Sequence, residues 1–151
     1  MRLSSLADYA VVMMAAAARH GPNMRLSATD LATETGVPLP TAQKLMGRLA
    51  VAGLLVSARG TGGGFSLARA SAAITLADII EAVEGRIALT SCVEDGRHDC
   101  VLESACKVRP HWALVNEAVR SAFADVPLDR LAGVDPVRAD LDMARTAVGV
   151  A

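Results

Sequence analysis

Apolar residues recur along this 151-residue chain with two periods, and each change of period marks an element. Leu6, Tyr9, Ala10, Met13, Met14 and Ala17 fall three and four apart, which predicts a first helix stopped by Gly21-Pro22. Ser5 followed by Asp8 has the form of a capping box, and it places a carboxylate near the helix's positive end. The same signal returns at Ser27/Asp30, opening a short helix that ends at Gly36, and at Thr75/Asp78, opening residues 76–84 ahead of Gly85. Between these lies a helix over residues 40–52. Pro40 suits its first position, Ala42, Leu45, Met46 and Leu49 form one stripe, and Gly53 ends it.

The period then shortens. Residues 54–58 and 65–68 read as two strands around Arg59-Gly60-Thr61-Gly62-Gly63-Gly64, a hairpin with a glycine-rich tip. From Cys92 to Cys106 there is no steady period, which predicts a loop containing a short turn. Residues 110–124 are helical again, with Val115, Val119, Ala122 and Phe123 apolar; Pro127 begins a short terminal element, and the pattern weakens after Gly133. Helix, helix, turn, helix and hairpin is the order of a winged helix-turn-helix, a mainly α fold with a small β-hairpin wing. In that fold the helix from Pro40 enters the DNA major groove, and the wing tip touches the flanking backbone or minor groove.

Hydrophobic residues make up 52% of the chain, enough for a core, and aromatics only 3%, so that core is aliphatic and alanine-rich. The nearly apolar run 6–18 is interrupted by Asp8 and too short for a bilayer, and its flanks lack a signal peptide's features; a cytoplasmic protein with no membrane partner is expected. The net charge of −1 hides an asymmetry. Residues 1–71 carry seven Lys/Arg against three acids, whereas residues 72–151 carry eight against thirteen, which sets a +4 front half against a −5 back half.

The helix over 40–52 turns Thr41, Gln43, Lys44 and Arg48 away from its apolar stripe. Gln and Thr suit base edges, Lys and Arg suit phosphates, and an ordinary solvated face has the same composition. Arg59 and Gly60 at the wing tip favour the DNA reading, because the glycines after Arg59 allow close backbone approach. The run Gly60 to Gly64 is no nucleotide loop, since no Gly-Lys-Ser/Thr and no helix follow it.

All three cysteines, Cys92, Cys100 and Cys106, fall within fifteen positions of a polar, irregular segment. An odd number without an export signal argues against a disulfide framework. Three thiolates suit a soft metal or an iron–sulfur cluster that takes a fourth ligand from Asp8, Glu103, His98 or His111. Zinc, thiol redox sensing and inert cysteines are the alternatives, although zinc knuckles have tighter spacing. His20, at a helix C-terminus, needs no functional role. No Ser/His/Asp set, Gly-x-Ser-x-Gly elbow or His-Glu-x-x-His stretch appears, so an enzyme is not expected.

Leu6-Ala7-Asp8-Tyr9-Ala10, the 54–60 strand, the Gly62-Gly63-Gly64-Phe65-Ser66-Leu67-Ala68 wing, the 74–85 segment and the three-cysteine loop together resemble the Rrf-two family of bacterial winged-helix regulators. That family includes IscR-like iron–sulfur cluster regulators, iron-responsive repressors and nitric-oxide-sensing repressors, and the start of the chain looks most like the SUF-operon branch. The resemblance covers about residues 1–132 and implies a homodimer whose long helix, near residues 108–124, packs on its partner. It implies that Cys92, Cys100 and Cys106 hold a [2Fe–2S] or [4Fe–4S] cluster whose loss or oxidation resets affinity for a double-stranded operator.

Two departures qualify the ligand set. Seven residues separate Cys92 from Cys100, as in the iron-responsive branch rather than the five of the cluster regulators. Arg109 stands where the cluster regulators have their histidine ligand, so the resemblance to the nitric-oxide-sensing branch makes Asp8, donated across the dimer, the leading fourth ligand ahead of His111. The expected organisation is a DNA-binding unit (1–85), a cluster loop (86–107), a dimerisation helix with a short terminal element (108–132) and a tail (133–151). Two alternatives are a metal-free thiol-switch regulator and a cluster carrier or partner-binding module that does not bind DNA.

Overall fold

The computed structural model describes residues 2–93, 100–102 and 104–133, and two of the three expected capping boxes form in it. Its elements are α1 (Ser5–Arg19), α2 (Ala28–Thr35), α3 (Leu39–Val51), β1 (Leu55–Ala58), β2 (Gly64–Leu67), α4 (Leu76–Glu84), α5 (Arg109–Ala124) and α6 (Leu128–Ala132). Single 3-10 turns occur at Ser71–Ala73 and Ser91–Val93. Ser27 and Asp30 exchange side-chain and backbone hydrogen bonds at the start of α2, and Thr75 and Asp78 do the same at α4. Donation from the Ser27 hydroxyl, then from its backbone N–H, holds the Asp30 carboxyl below its ordinary range.

The third box is displaced by one residue. Ser4, not Ser5, caps α1 by accepting from the Ala7 N–H at 3.1 Å, so Asp8 makes no box and is exposed in the first turn. Where two serines are adjacent, the backbone decides which one caps.

α1 is the centre of the fold. Ala7, Ala10, Met13, Met14 and Ala15 to Ala18 are all buried, so the helix is enclosed well beyond the single stripe expected of an amphipathic helix. Its alanines let α2, α3, α4 and α6 approach closely from different sides. Leu31, Leu45, Met46, Leu49, Ile74 and Ile79 complete an aliphatic core with no buried polar or charged side chain among the described residues.

β1 and β2 pair antiparallel with Leu55 opposite Leu67 and Ala58 opposite Gly64. Leu26 adds a one-residue third strand: its N–H donates to the Phe65 carbonyl at 2.9 Å and its carbonyl accepts from the Phe65 N–H at 2.8 Å. This close approach requires glycine next door, because a Cβ on Gly64 would stand 3.0 Å from the Leu26 carbonyl oxygen.

The core does not stop at residue 85. Leu128, fully buried, and Ala132 bring α6 back against α1, and the Leu128 N–H donates to the Ile74 carbonyl at 2.8 Å. α5, by contrast, has no buried residue along its sixteen positions; Leu114 is 72% and Val115 45% exposed. No helix among the described residues is long and apolar enough to cross a membrane.

Candidate functional site

α3 is built to expose one face. Ala42, Leu45, Met46 and Leu49 are buried, which leaves Gln43 and Lys44 exposed and Thr41 half-exposed. Pro38 precedes α3 without capping it by a side chain, so the positive end of this helix is open. Arg48 follows a different course. Its Nη1 donates to the Val83 carbonyl at 2.8 Å, one of the orphan carbonyls at the end of α4, so it links α3 to α4.

Arg59 and Gly60 lie exposed at the wing tip, which is closed by a Gly63 N–H to Gly60 carbonyl bond of 2.9 Å. A side chain at Gly63 would meet the Ala58 carbonyl oxygen at 2.6 Å, so the tip tolerates only glycine there. Arg25 reaches the wing from behind, with Nη1 3.5 Å from the Gly62 carbonyl. Sequence reasoning missed both this cation and the Leu26 strand. Their signal is the extended stretch immediately before the Ser27 cap.

α1 and α2 are fastened at the edge of this unit. His20 Nε2 lies 2.6 Å from Glu34 Oε2, and Arg19 Nη2 lies 3.3 Å from Glu34 Oε1. The His20 hydrogen bond, assisted by Arg19, holds Glu34 below the usual carboxylate range.

The three thiols are free and half-buried. Cys92 occupies the 3-10 turn after α4, with its Sγ 3.1 Å from Thr90 Oγ1, and Cys106 comes just before α5. An open cavity of about 540 Å³ runs past Cys92, Arg109, Pro110 and Asn116. His111 is exposed in the first turn of α5, and Asp8 is exposed on α1. Among the described residues no three His, Cys, Asp or Glu side chains converge as a metal site. Residues 94–99, with His98, and also Glu103 and the tail 134–151 lie outside the described residues. As a donor set, three thiols outside any disulfide fit a soft metal or an iron–sulfur centre.

Similarity to characterised proteins runs along the whole chain. The regulator IscR of Pectobacterium carotovorum is 30% identical over 99% of this chain and 93% of its own length. That of Xenorhabdus nematophila is 31% identical over the same shares. Among solved structures, CymR, the global cysteine regulator of B. subtilis, superposes with a TM-score of 0.67 at 26% identity, covering 88% of this chain and 97% of the other. The T. potens IscR structure, at 23% identity, covers 100% of this chain and 93% of its own with a TM-score of 0.62, a likeness of fold. The winged-helix architecture is thus shared with these regulators. The profile of the Rrf2 family, described as an iron-dependent transcriptional regulator, matches residues 3–133, and the chain belongs to that family.

Proposed function

We propose that this member of a DNA-binding regulator family works in the cytoplasm as a homodimer and reports iron–sulfur status through a cluster held by Cys92, Cys100 and Cys106. The observation that carries this reading is the pairing, in one fold, of an exposed polar face on α3 and the wing with three free thiols in the segment between α4 and α5. When bound, a cluster supplies an iron- and oxidant-sensitive link between those thiolates. Asp8 is the leading fourth ligand and His111 the alternative, and the similarity to IscR regulators supports the choice of cofactor. Thr41 and Gln43 face base edges in this reading, Lys44 and Arg59 face phosphates, and the Gly60 backbone lies beside the duplex. The regulator function of its relatives gives no role to an enzymatic reaction.

A duplex selected from random-sequence DNA by the anaerobically isolated protein tests the interface. Lys44→Ala and Arg59→Ala are each expected to weaken binding and to lower the salt slope by about 1. An unchanged affinity and slope in both variants would remove these side chains from the interface.

The bare face of α5 is assigned to the partner subunit, since among the described residues Leu114 stays 72% and Val115 45% exposed. Leu114→Asp is expected to shift sedimentation from dimer to monomer while helical circular dichroism is kept. A dimer of unchanged affinity would place the contact elsewhere.

Similarity to CymR, solved from Staphylococcus aureus in an oxidized form at 26% identity, favours one second reading. In it the thiols oxidise and no metal binds. It predicts reversible disulfides and no iron. A carrier module, the third reading, predicts cluster transfer without salt-dependent DNA affinity.

A further inference from the structure

The stretch between α4 and the first thiol is held by side chains from both neighbouring helices. The Leu89 N–H donates to Asn116 Oδ1 at 2.9 Å, and Asn116 Nδ2 donates to the Ile87 carbonyl, also at 2.9 Å. One side-chain amide thereby takes the carbonyl of one residue and the N–H of the next but one, as an adjoining strand does. The Ile87 N–H donates to Glu81 Oε1 at 3.3 Å. Glu81 is gripped in turn by Arg120, Nε to Oε1 at 2.9 Å and Nη2 to Oε2 at 3.1 Å. Asn116 and Arg120 are one turn apart on the same face of α5.

This strap has a thiol at one end and the DNA-facing unit at the other. Thr90 contacts Cys92, and across α4 the Val83 carbonyl takes the Arg48 guanidinium from α3. We propose that Asn116 is a positioning residue that ties the state of the Cys92 thiol to the placement of α3, through the 87–89 strap, Glu81 and α4. Three backbone groups pinned within three residues leave the strap little freedom, so a displacement at Cys92 passes to α4. Without the amide, the loose backbone absorbs it. The inference rests on the DNA-binding reading but needs no cluster.

The test uses the full chain with Cys100→Ser and Cys106→Ser, leaving Cys92 as the sole thiol. Iodoacetamide caps Cys92, the thiolate displacing iodide, and the open cavity beside Cys92 and Asn116 gives the reagent access. DNA affinity is then compared for free and capped thiol. With Asn116 the ratio is expected to reach about fivefold or more, within the range of linked sites, and Asn116→Ala should bring it within about twofold of unity. Asn116→Asp keeps the acceptor for Leu89 and loses the donor to Ile87, so an intermediate ratio is expected. It also carries the comparison if the alanine variant does not fold.

Equal ratios in the Asn116 and Asn116→Ala proteins would overturn the inference, and so would a cap that changes nothing in the Asn116 protein. If the unaltered chain binds no iron while the Cys92-only protein loses its ratio on Asn116→Ala, the inference stands and the cluster reading falls. If the unaltered chain binds iron while the ratio of the Cys92-only protein ignores Asn116, the reverse holds.

Discussion

Cys100→Ala protein isolated without oxygen is expected to be colourless, with iron and sulfide near zero, while the unaltered chain absorbs broadly at about 400 nm as thiolate-bound clusters do. The loss should be complete rather than partial, because a cluster held by only two of its three thiolates has no protein donor of equal softness to fall back on. Folding should survive. Cys100 is half-buried in an irregular segment and is absent from the aliphatic core, so its truncation opens no cavity there. Visible absorption, iron and sulfide assays and far-ultraviolet circular dichroism on one sample check all three statements. A variant that retains its colour would remove Cys100 from the ligand set, and a colourless parent protein with intact thiols would move the assignment to zinc or the thiol switch.

The second large effect is expected at Leu128. Its side chain is fully buried against α1, and its truncation to alanine should cost about 2–5 kcal/mol, the range of buried leucine deletions. At about 2–4 °C per kcal/mol for a chain of this size, melting should fall by roughly 4–20 °C. Protein concentration must be held fixed, since any self-association would add its own stabilisation. Leu114→Ala on exposed α5 makes the contrast: within one chain it removes little burial, so its effect should depend on protein concentration. A drop below about 1 kcal/mol for Leu128→Ala would remove α6 from the core.

Sequence reasoning recovered those features that are local. The boxes at Ser27/Asp30 and Thr75/Asp78, the stripe Ala42-Leu45-Met46-Leu49 and the glycine-rich hairpin each depend on residues within a few positions of one another. What it missed depends on distant partners. Leu26 is one residue of strand, too short for any period, and its role exists only because Phe65 lies alongside. α6 spans five residues, and nothing local announces that Leu128 completes the core. Arg48, exposed on α3, also donates to the Val83 carbonyl at the end of α4, a contact that no spacing within one helix announces. For the thiols, spacing gave the chemistry of the donor set and not its geometry, since three soft ligands in a loop do not specify how the backbone brings them together.

The return of α6 to α1 has a consequence for biosynthesis. The two helices that close the core lie at opposite ends of residues 5–132, so the order of translation separates them almost as far as the fold allows. At about 5–20 residues per second, α1 waits several seconds on the ribosome for its last neighbour. During that interval the alanine-rich helix keeps one side bare, a side that nascent-chain chaperones are suited to shield. The cysteine segment is made within the same interval, so the chain carries its full set of thiols before the core around α1 can close.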